Sequence, residues 1–193
     1  MDTPSFATPF SSLTPFLRCE HLLQLLENAR EYITAIRIKA AMAEAASDPV
    51  RSTELSAYFT HCNLQPAHLL LALRSAMGTA FKHKNFIAAA SFSRRLLELP
   101  DVSSAKNADL KSKAGKVLQK SEAQARNEHE LNYDENEGFK IDAFKLQPIY
   151  RGDDLVECSF CGSTYSVDFK GKLCVTCGVS TVGAKTLGLV TGV

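Results

Sequence analysis

The chain has almost no net charge. Across 193 residues, 22 Lys and Arg stand against 21 Asp and Glu, a formal balance of +1. No global field therefore draws it to nucleic acid or to an anionic membrane. No apolar run approaches the about 18–20 residues that a membrane-spanning helix needs. The opening "MDTPSFATPFSSLTPFL" has neither the basic start nor the continuous apolar stretch of a signal peptide. It mixes Pro, Ser and Thr with three Phe and predicts an extended leader over residues 1–18. A cytoplasmic protein with reduced thiols is expected, and in that setting paired cysteines more often mean metal than disulfide. No Ser–His–Asp set, phosphate-cradling glycine loop or isolated carboxylate pair stands out, so no enzymatic activity is expected.

What is present divides into two parts of different character. From residue 19 to 126 the apolar pattern is helical. "CEHLLQLLENAREYITAIRIKAAMAEAA" places Leu22, Leu25/Leu26, Ala29, Tyr32/Ile33, Ile36 and Ala40 on one face at steps of three and four. Asp48-Pro49 interrupts it, "STELSAYFTHCNL" follows as a short helix, and Pro66 suits the first turn of the next. Two helices, "PAHLLLALRSAMGTAFKHK" and "NFIAAASFSRRLLEL", are joined tightly and stopped by Pro100. A last helix, "SSAKNADLKSKAGKVLQKSEAQA", is expected to carry Leu110, Ala114, Val117/Leu118 and Ser121 as its inner stripe. Helices with such short links stack as a hairpin or solenoid-like array. "KNFIAAASFSRRLLELP" is similar to the second helix of a tetratricopeptide unit, but there is no repeat at the period of about 34 residues that such arrays show.

Residues 127–147 are expected to form a polar, acidic connection and a first strand, with Arg151-Gly152-Asp153-Asp154 as a turn between two strands. Residues 148–193 are expected to form a small β-rich module, too small to stay folded without a cross-link or a metal. The cysteines of that module lie in "CSFCG" and "CVTCG", with 12 residues between the two pairs. The glycine after each pair is informative. In a metal knuckle the chain turns so tightly that this residue is driven to positive φ, where glycine sits without strain. Cys158, Cys161, Cys174 and Cys177 thus supply the four soft ligands of tetrahedral zinc, and the spacer "GSTYSVDFKGKL" has room for a strand, a turn at Lys170-Gly171 and a returning strand. This is the layout of a zinc ribbon, and the fold class expected is α+β: a helical array followed by that ribbon. Iron in the same four-thiolate cage remains open. Thioredoxin-like redox chemistry does not fit two symmetric pairs in a β-rich segment. Four protein ligands leave no open position, so the metal is structural and not catalytic.

A zinc-ribbon nucleic-acid or transcription protein is the alternative. From Tyr150 onward, however, Arg151, Lys170, Lys172 and Lys185 are balanced by Asp153, Asp154, Glu157 and Asp168. That balance lacks a phosphate-neutralising footprint. Phe160, Tyr165 and Phe169 are expected as the ribbon's small core. Cys62 with His61 and His68 is not expected to form a second metal site, because His61 and Cys62 point to different helix faces. The lysines at 106, 111, 113, 116 and 120 are expected to be a solvated face.

Read together, the two parts resemble the C-terminal domain family of coatomer alpha subunits, from the COPI vesicle coat. The residues that carry the resemblance are "AYFTHCNLQPAHLLLALRSAM" (57–77), "FKHKNFIAAASFSRRLLEL" (81–99), "LNYD" (131–134), "PIYRG" (148–152), and "FKGKLCVTC" with "VGAKTLGL" (169–189). The resemblance implies a non-catalytic scaffold that docks the epsilon subunit, a tetratricopeptide protein, and other coatomer subunits in Golgi-to-ER and intra-Golgi transport. It also implies a protein peripheral on Golgi and vesicle membranes, touching lipid only through the coat. Family members read dilysine cargo signals with N-terminal β-propellers. Nothing like a propeller repeat is present here, so cargo reading is not assigned to this chain.

Overall fold

Five helices occupy the first two thirds of the computed structural model, which describes residues 15–185. They are α1 (Pro15–Glu44), α2 (Pro49–Phe59), α3 (Pro66–Lys82), α4 (Phe86–Glu98) and α5 (Ala108–Gln124). The leader expected to residue 18 lies outside the described residues through position 14, and Pro15 already opens α1, so residues 15–18 are helical rather than extended. The tail from 186 onward also lies outside them.

Local chemistry sets the boundaries. Asp48 caps α2, its Oδ1 accepting from the backbone N–H of Val50 at 3.0 Å and of Arg51 at 3.1 Å, with Pro49 in the first turn. Pro66 opens α3 in the same way. Before Pro100, Leu99 is pushed to an extended conformation (φ −67°, ψ 130°), which ends α4. Where one helix was expected from residue 103, short 3-10 turns at Pro100–Ser103 and Ala105–Asn107 come first, and α5 starts only at Ala108.

Each helix packs on its neighbour in sequence, and α5 also reaches α3. The α3–α4 contact includes Ala76, Ala80, Ala88 and Ala89, all buried. Such small side chains let the two axes approach closely. Leu73, Phe92, Leu96, Val102, Leu110 and Ala114 fill the core between α3, α4 and α5. A second cluster holds Ile38, Leu55, Tyr58, Cys62 and Leu64 with Leu146 from the C-terminal part. The inner face of α1 is therefore Thr34, Ala35 and Ile38, and the stripe expected inside is largely outside. Leu22, Leu25, Ile33 and Ile36 are exposed, while Leu26 and Tyr32 lean on neighbouring clusters.

The connection after α5 is strapped across the helices. Asn127 Oδ1 accepts from Ile87 N, buried Asn85 accepts from His129 N through Oδ1, and Tyr58 donates its hydroxyl to Asn132 O at 2.6 Å. Two antiparallel two-stranded sheets follow. In the first, β1 (Phe139–Ile141) pairs with β2 (Pro148–Tyr150), Phe139 opposite Tyr150. In the second, β3 (Leu155–Glu157) pairs with β4 (Thr164–Ser166), Leu155 opposite Ser166. The turn at 151–154 therefore links strands of different sheets and does not close a hairpin. The first hairpin instead closes over residues 142–147. There the Asp142 carboxylate accepts from the N–H groups of Phe144 and Lys145, a side chain taking the place of a backbone turn. After β4 the spacer makes a 3-10 turn at Val167–Phe169, and the expected returning strand is reduced to isolated bridges, Leu173 opposite Thr181 and Cys158 opposite Val182.

Arginines join the two parts by donating to backbone carbonyls. Arg37 reaches Ala143 O at 2.6 Å, Arg51 reaches the carbonyls of Lys145 and Leu146 at 3.0 and 3.1 Å, and Arg30 reaches Cys161 O at 3.4 Å. The rings of Tyr58, His61, Tyr133, Phe139 and Tyr150 pack edge-on or tilted between helices and hairpin. No described helix is long and apolar enough to cross a membrane.

Candidate metal centre

The two cysteine pairs form two similar knuckles that face each other. In the first, Gly162 N donates to Cys158 O at 2.8 Å; in the second, Gly178 N donates to Cys174 O at 2.9 Å. Both glycines have positive φ, 70° and 65°, as the tight turn requires. The backbone N–H groups of Phe160 and Cys161 point at the Cys158 sulfur, and those of Thr176 and Cys177 at the Cys174 sulfur. β3 leads directly into the first knuckle, and the bridge between Cys158 and Val182 holds the end of the second against it.

The four sulfurs lie within 4.8 Å of one another, with Cys158–Cys177 at 3.8 Å and Cys161–Cys174 at 3.6 Å. A tetrahedral ion with metal–sulfur bonds of about 2.3 Å needs sulfur–sulfur edges of about 3.8 Å. The spacing fits. All four cysteines are free, and among the described residues they form the one cluster of His, Cys, Asp or Glu with metal-holding geometry.

The surroundings fit a cage of thiolates. Tyr165, fully buried, has its hydroxyl 3.0 Å from Cys174 Sγ, and the Ser163 hydroxyl is 3.2 Å from Cys161 Sγ. Burial pushes the Cys161 thiol up to about 12 and raises Cys158 as well. At Cys174 burial also acts upward, but the Tyr165 hydroxyl and the N–H groups of Cys177 and Thr176 outweigh it and bring the thiol down to about 6. Tyr165 stacks on Phe169 at 4.8 Å, and Phe144 packs on the other end of that pair. Tyr165 and Phe169 are thus core, as expected, whereas Phe160 is half exposed and is not.

Behind the cage lies a residue that the spacing of cysteines does not reveal. Asp142 is 1% exposed, and beyond its two turn N–H groups it accepts from Ser166 N at 2.8 Å and from the Ser166 hydroxyl. It clamps the hairpin turn to β4, one residue from Tyr165. The arginines that dock the module are likewise invisible in its own sequence, because they lie on α1 and α2.

The remaining candidates stay apart. His61 Nε2 is 2.9 Å from the Tyr133 hydroxyl, His68 Nδ1 is 2.7 Å from the Tyr32 hydroxyl, and Cys62 sits buried in the helical core. Burial, then the Arg95 charge, lowers His61 from 6.5 to about 4. Lys106, Lys111, Lys113, Lys116 and Lys120 are all exposed.

Comparison with known proteins places both parts in one frame. The family model for the C-terminus of the coatomer (COPI) alpha subunit matches residues 18–192. The coatomer subunit alpha of Dictyostelium discoideum is 41% identical over 188 residues, covering 93% of this chain and 15% of that protein. Coatomer subunit alpha-1 of Arabidopsis thaliana is 38% identical over 171 residues (89% and 14%), and coatomer subunit alpha of Saccharomyces cerevisiae is 34% identical over 167 residues (86% and 14%). The chain thus spans about a seventh of the length of these relatives.

Proposed function

Since the chain belongs to the family of C-terminal domains of coatomer alpha, we propose that it is a non-catalytic scaffold domain of the COPI coat that docks the epsilon subunit. The observation that carries this reading is a family match running through helices and cysteine module alike, residues 18–192. The array over 19–126 offers helical surface to other coat subunits, as stacked helices generally do. The protein works on the cytoplasmic face, peripheral to Golgi and vesicle membranes, and meets lipid only through the assembled coat.

Within that scaffold, residues 148–193 act as a zinc-ribbon module, with Cys158, Cys161, Cys174 and Cys177 as ligands. A zinc ion held there supplies a cross-link and no open coordination position. The chain's own groups do the rest. The knuckle N–H groups and the hydroxyls of Tyr165 and Ser163 direct hydrogen bonds at sulfur and stabilise thiolate. Asp142 holds β4, and Arg37, Arg51 and Arg30 fix the module against α1 and α2. Burial raises the Cys158 and Cys161 thiols, so a cation is needed to keep those two as thiolates, which couples metal to folding.

The test is affinity capture from cell extract with this chain as bait, beside a chelator-treated sample. Recovery of coat subunits including epsilon supports the scaffold reading. Their loss after chelation shows that the metal module supports the docking surface. Recovery of nucleic-acid machinery in place of coat subunits overturns it in favour of a nucleic-acid-binding ribbon.

A further inference from the structure

The four-cysteine cage is not equally closed on all sides. Cys158, Cys161 and Cys174 are 7% exposed or less and belong to the core of the module with Tyr165, Phe169 and Val182. Cys177 is only partly buried and packs against the edge of that core. The first knuckle faces the helices. Arg30 on α1 donates to Cys161 O, its guanidinium lies 2.8 Å from where a Cβ on Gly162 would stand, and Leu26 packs on the same cluster. The second knuckle is open. A Cβ on Gly178 would meet nothing within 4 Å, and Val175 and Val179, two residues to either side of Cys177, are 38% and 66% exposed. The hydroxyls divide in the same way. Ser163 serves Cys161 and Tyr165 serves Cys174. Among the described residues no hydroxyl is bonded to the Cys177 sulfur, which lies 3.8 Å from that of Cys158.

We propose that Cys177 is a modification site: the sulfur of the cage that soft electrophiles from solvent attack, and the point at which the module gives up its metal. The inference rests on the reading of the four cysteines as zinc ligands. Attack on a soft electrophile needs a thiolate that solvent can reach. Metal ligation keeps all four sulfurs deprotonated, so access decides among them. A hydroxyl donating to sulfur also draws off electron density that attack requires, and Cys177 has none. With iodoacetamide the Cys177 sulfur forms a bond to the CH2 carbon of the reagent while iodide leaves with the bonding pair, and no proton moves. The product is a neutral thioether, so the cage falls from four anionic donors to three. A module too small to stay folded without its cross-link then opens, and the buried cysteines become reactive in turn.

The test is iodoacetamide labelling of the 193-residue chain after its zinc content has been read by native mass spectrometry. Peptide mapping at intervals follows each cysteine separately, and native mass spectrometry of the same samples follows bound metal. Cys177 is expected to be labelled at least about tenfold faster than Cys158, Cys161 and Cys174, with loss of metal and labelling of those three coming after it. Labelling of any of the three ahead of Cys177, equal rates at all four, or loss of metal before Cys177 is labelled overturns the proposal and leaves the zinc reading standing. A chain that takes up no zinc overturns both.

Discussion

Replacing Asp142 with Ala should loosen the metal module without loosening the helices. The carboxylate is 1% exposed and accepts from Phe144 N at 2.7 Å, Lys145 N at 2.9 Å, Ser166 N at 2.8 Å and the Ser166 hydroxyl. Alanine leaves three backbone donors without an acceptor in a buried setting. Each orphaned donor costs about 1–3 kcal/mol. The hydroxyl turns elsewhere, and backbone relaxation lets some water reach the turn, which brings the set to about 3–4 kcal/mol. At about 1.4 kcal/mol per tenfold, local opening should become roughly a hundred to a thousand times more frequent. Hydrogen exchange on the metal-loaded protein is the assay. Amides of residues 139–185 should lose protection by that factor, and those buried between α3, α4 and α5 should not change. Asp142→Asn, which keeps one oxygen but points donors at Ser166, should fall between the two. A loss shared evenly by α4 and α5, or a loss below about tenfold, would refute the idea that Asp142 clamps the hairpin to β4.

Further outcomes follow from the same contacts. Gly178→Ala forces an L side chain to φ 65° with nothing within 4 Å of the new methyl, so only backbone strain of about 1–2 kcal/mol is expected; melting of the module should show it. Gly162→Ala adds a 2.8 Å approach to the Arg30 guanidinium and should cost more, unless Arg30→Ala is made with it. Tyr58→Phe removes the 2.6 Å bond to Asn132 O and should cost about 1–1.5 kcal/mol in urea unfolding. His61 has a folded value lowered to about 4 from 6.5, so unfolding favours the protonated ring. The stability this neutral imidazole contributes is present above pH 6.5 and is lost as pH falls towards 4. His61 is exposed by surface area, so the slope should be only a fraction of about 1.4 kcal/mol per pH unit. Urea midpoints of wild type and His61→Gln across that range should differ in slope.

What could be read from the sequence was whatever short-range chemistry dictates. Asp48-Pro49, Pro66 and Pro100 act on their immediate neighbours, and each falls at a helix boundary. The glycine after each cysteine pair has the positive φ that its knuckle demands, and the four sulfurs converge. Pairing between segments was harder. Gly152 and Asp153 make a real turn, but the strands on either side of it join different sheets, because the Asp142 side chain closes the first hairpin earlier. The most apolar side of α1 misled for a related reason. Periodicity shows that a stripe exists, not which neighbour is available to cover it, and the face that α2 meets is the weaker one of Thr34, Ala35 and Ile38. Tyr165 and Ser163 carry no signal as sulfur partners in the sequence, since hydroxyl residues are common in turns; only the fold brings them to the cage.

A zinc ion held by Cys158, Cys161, Cys174 and Cys177 is proposed to keep the C-terminal module folded. Native mass spectrometry of the purified chain, with X-ray absorption at the zinc edge, decides the matter. One zinc per chain in a shell of four sulfurs at about 2.3 Å is the expected result. A chain at its metal-free mass whose module still resists protease, or a shell containing nitrogen or oxygen, would contradict it.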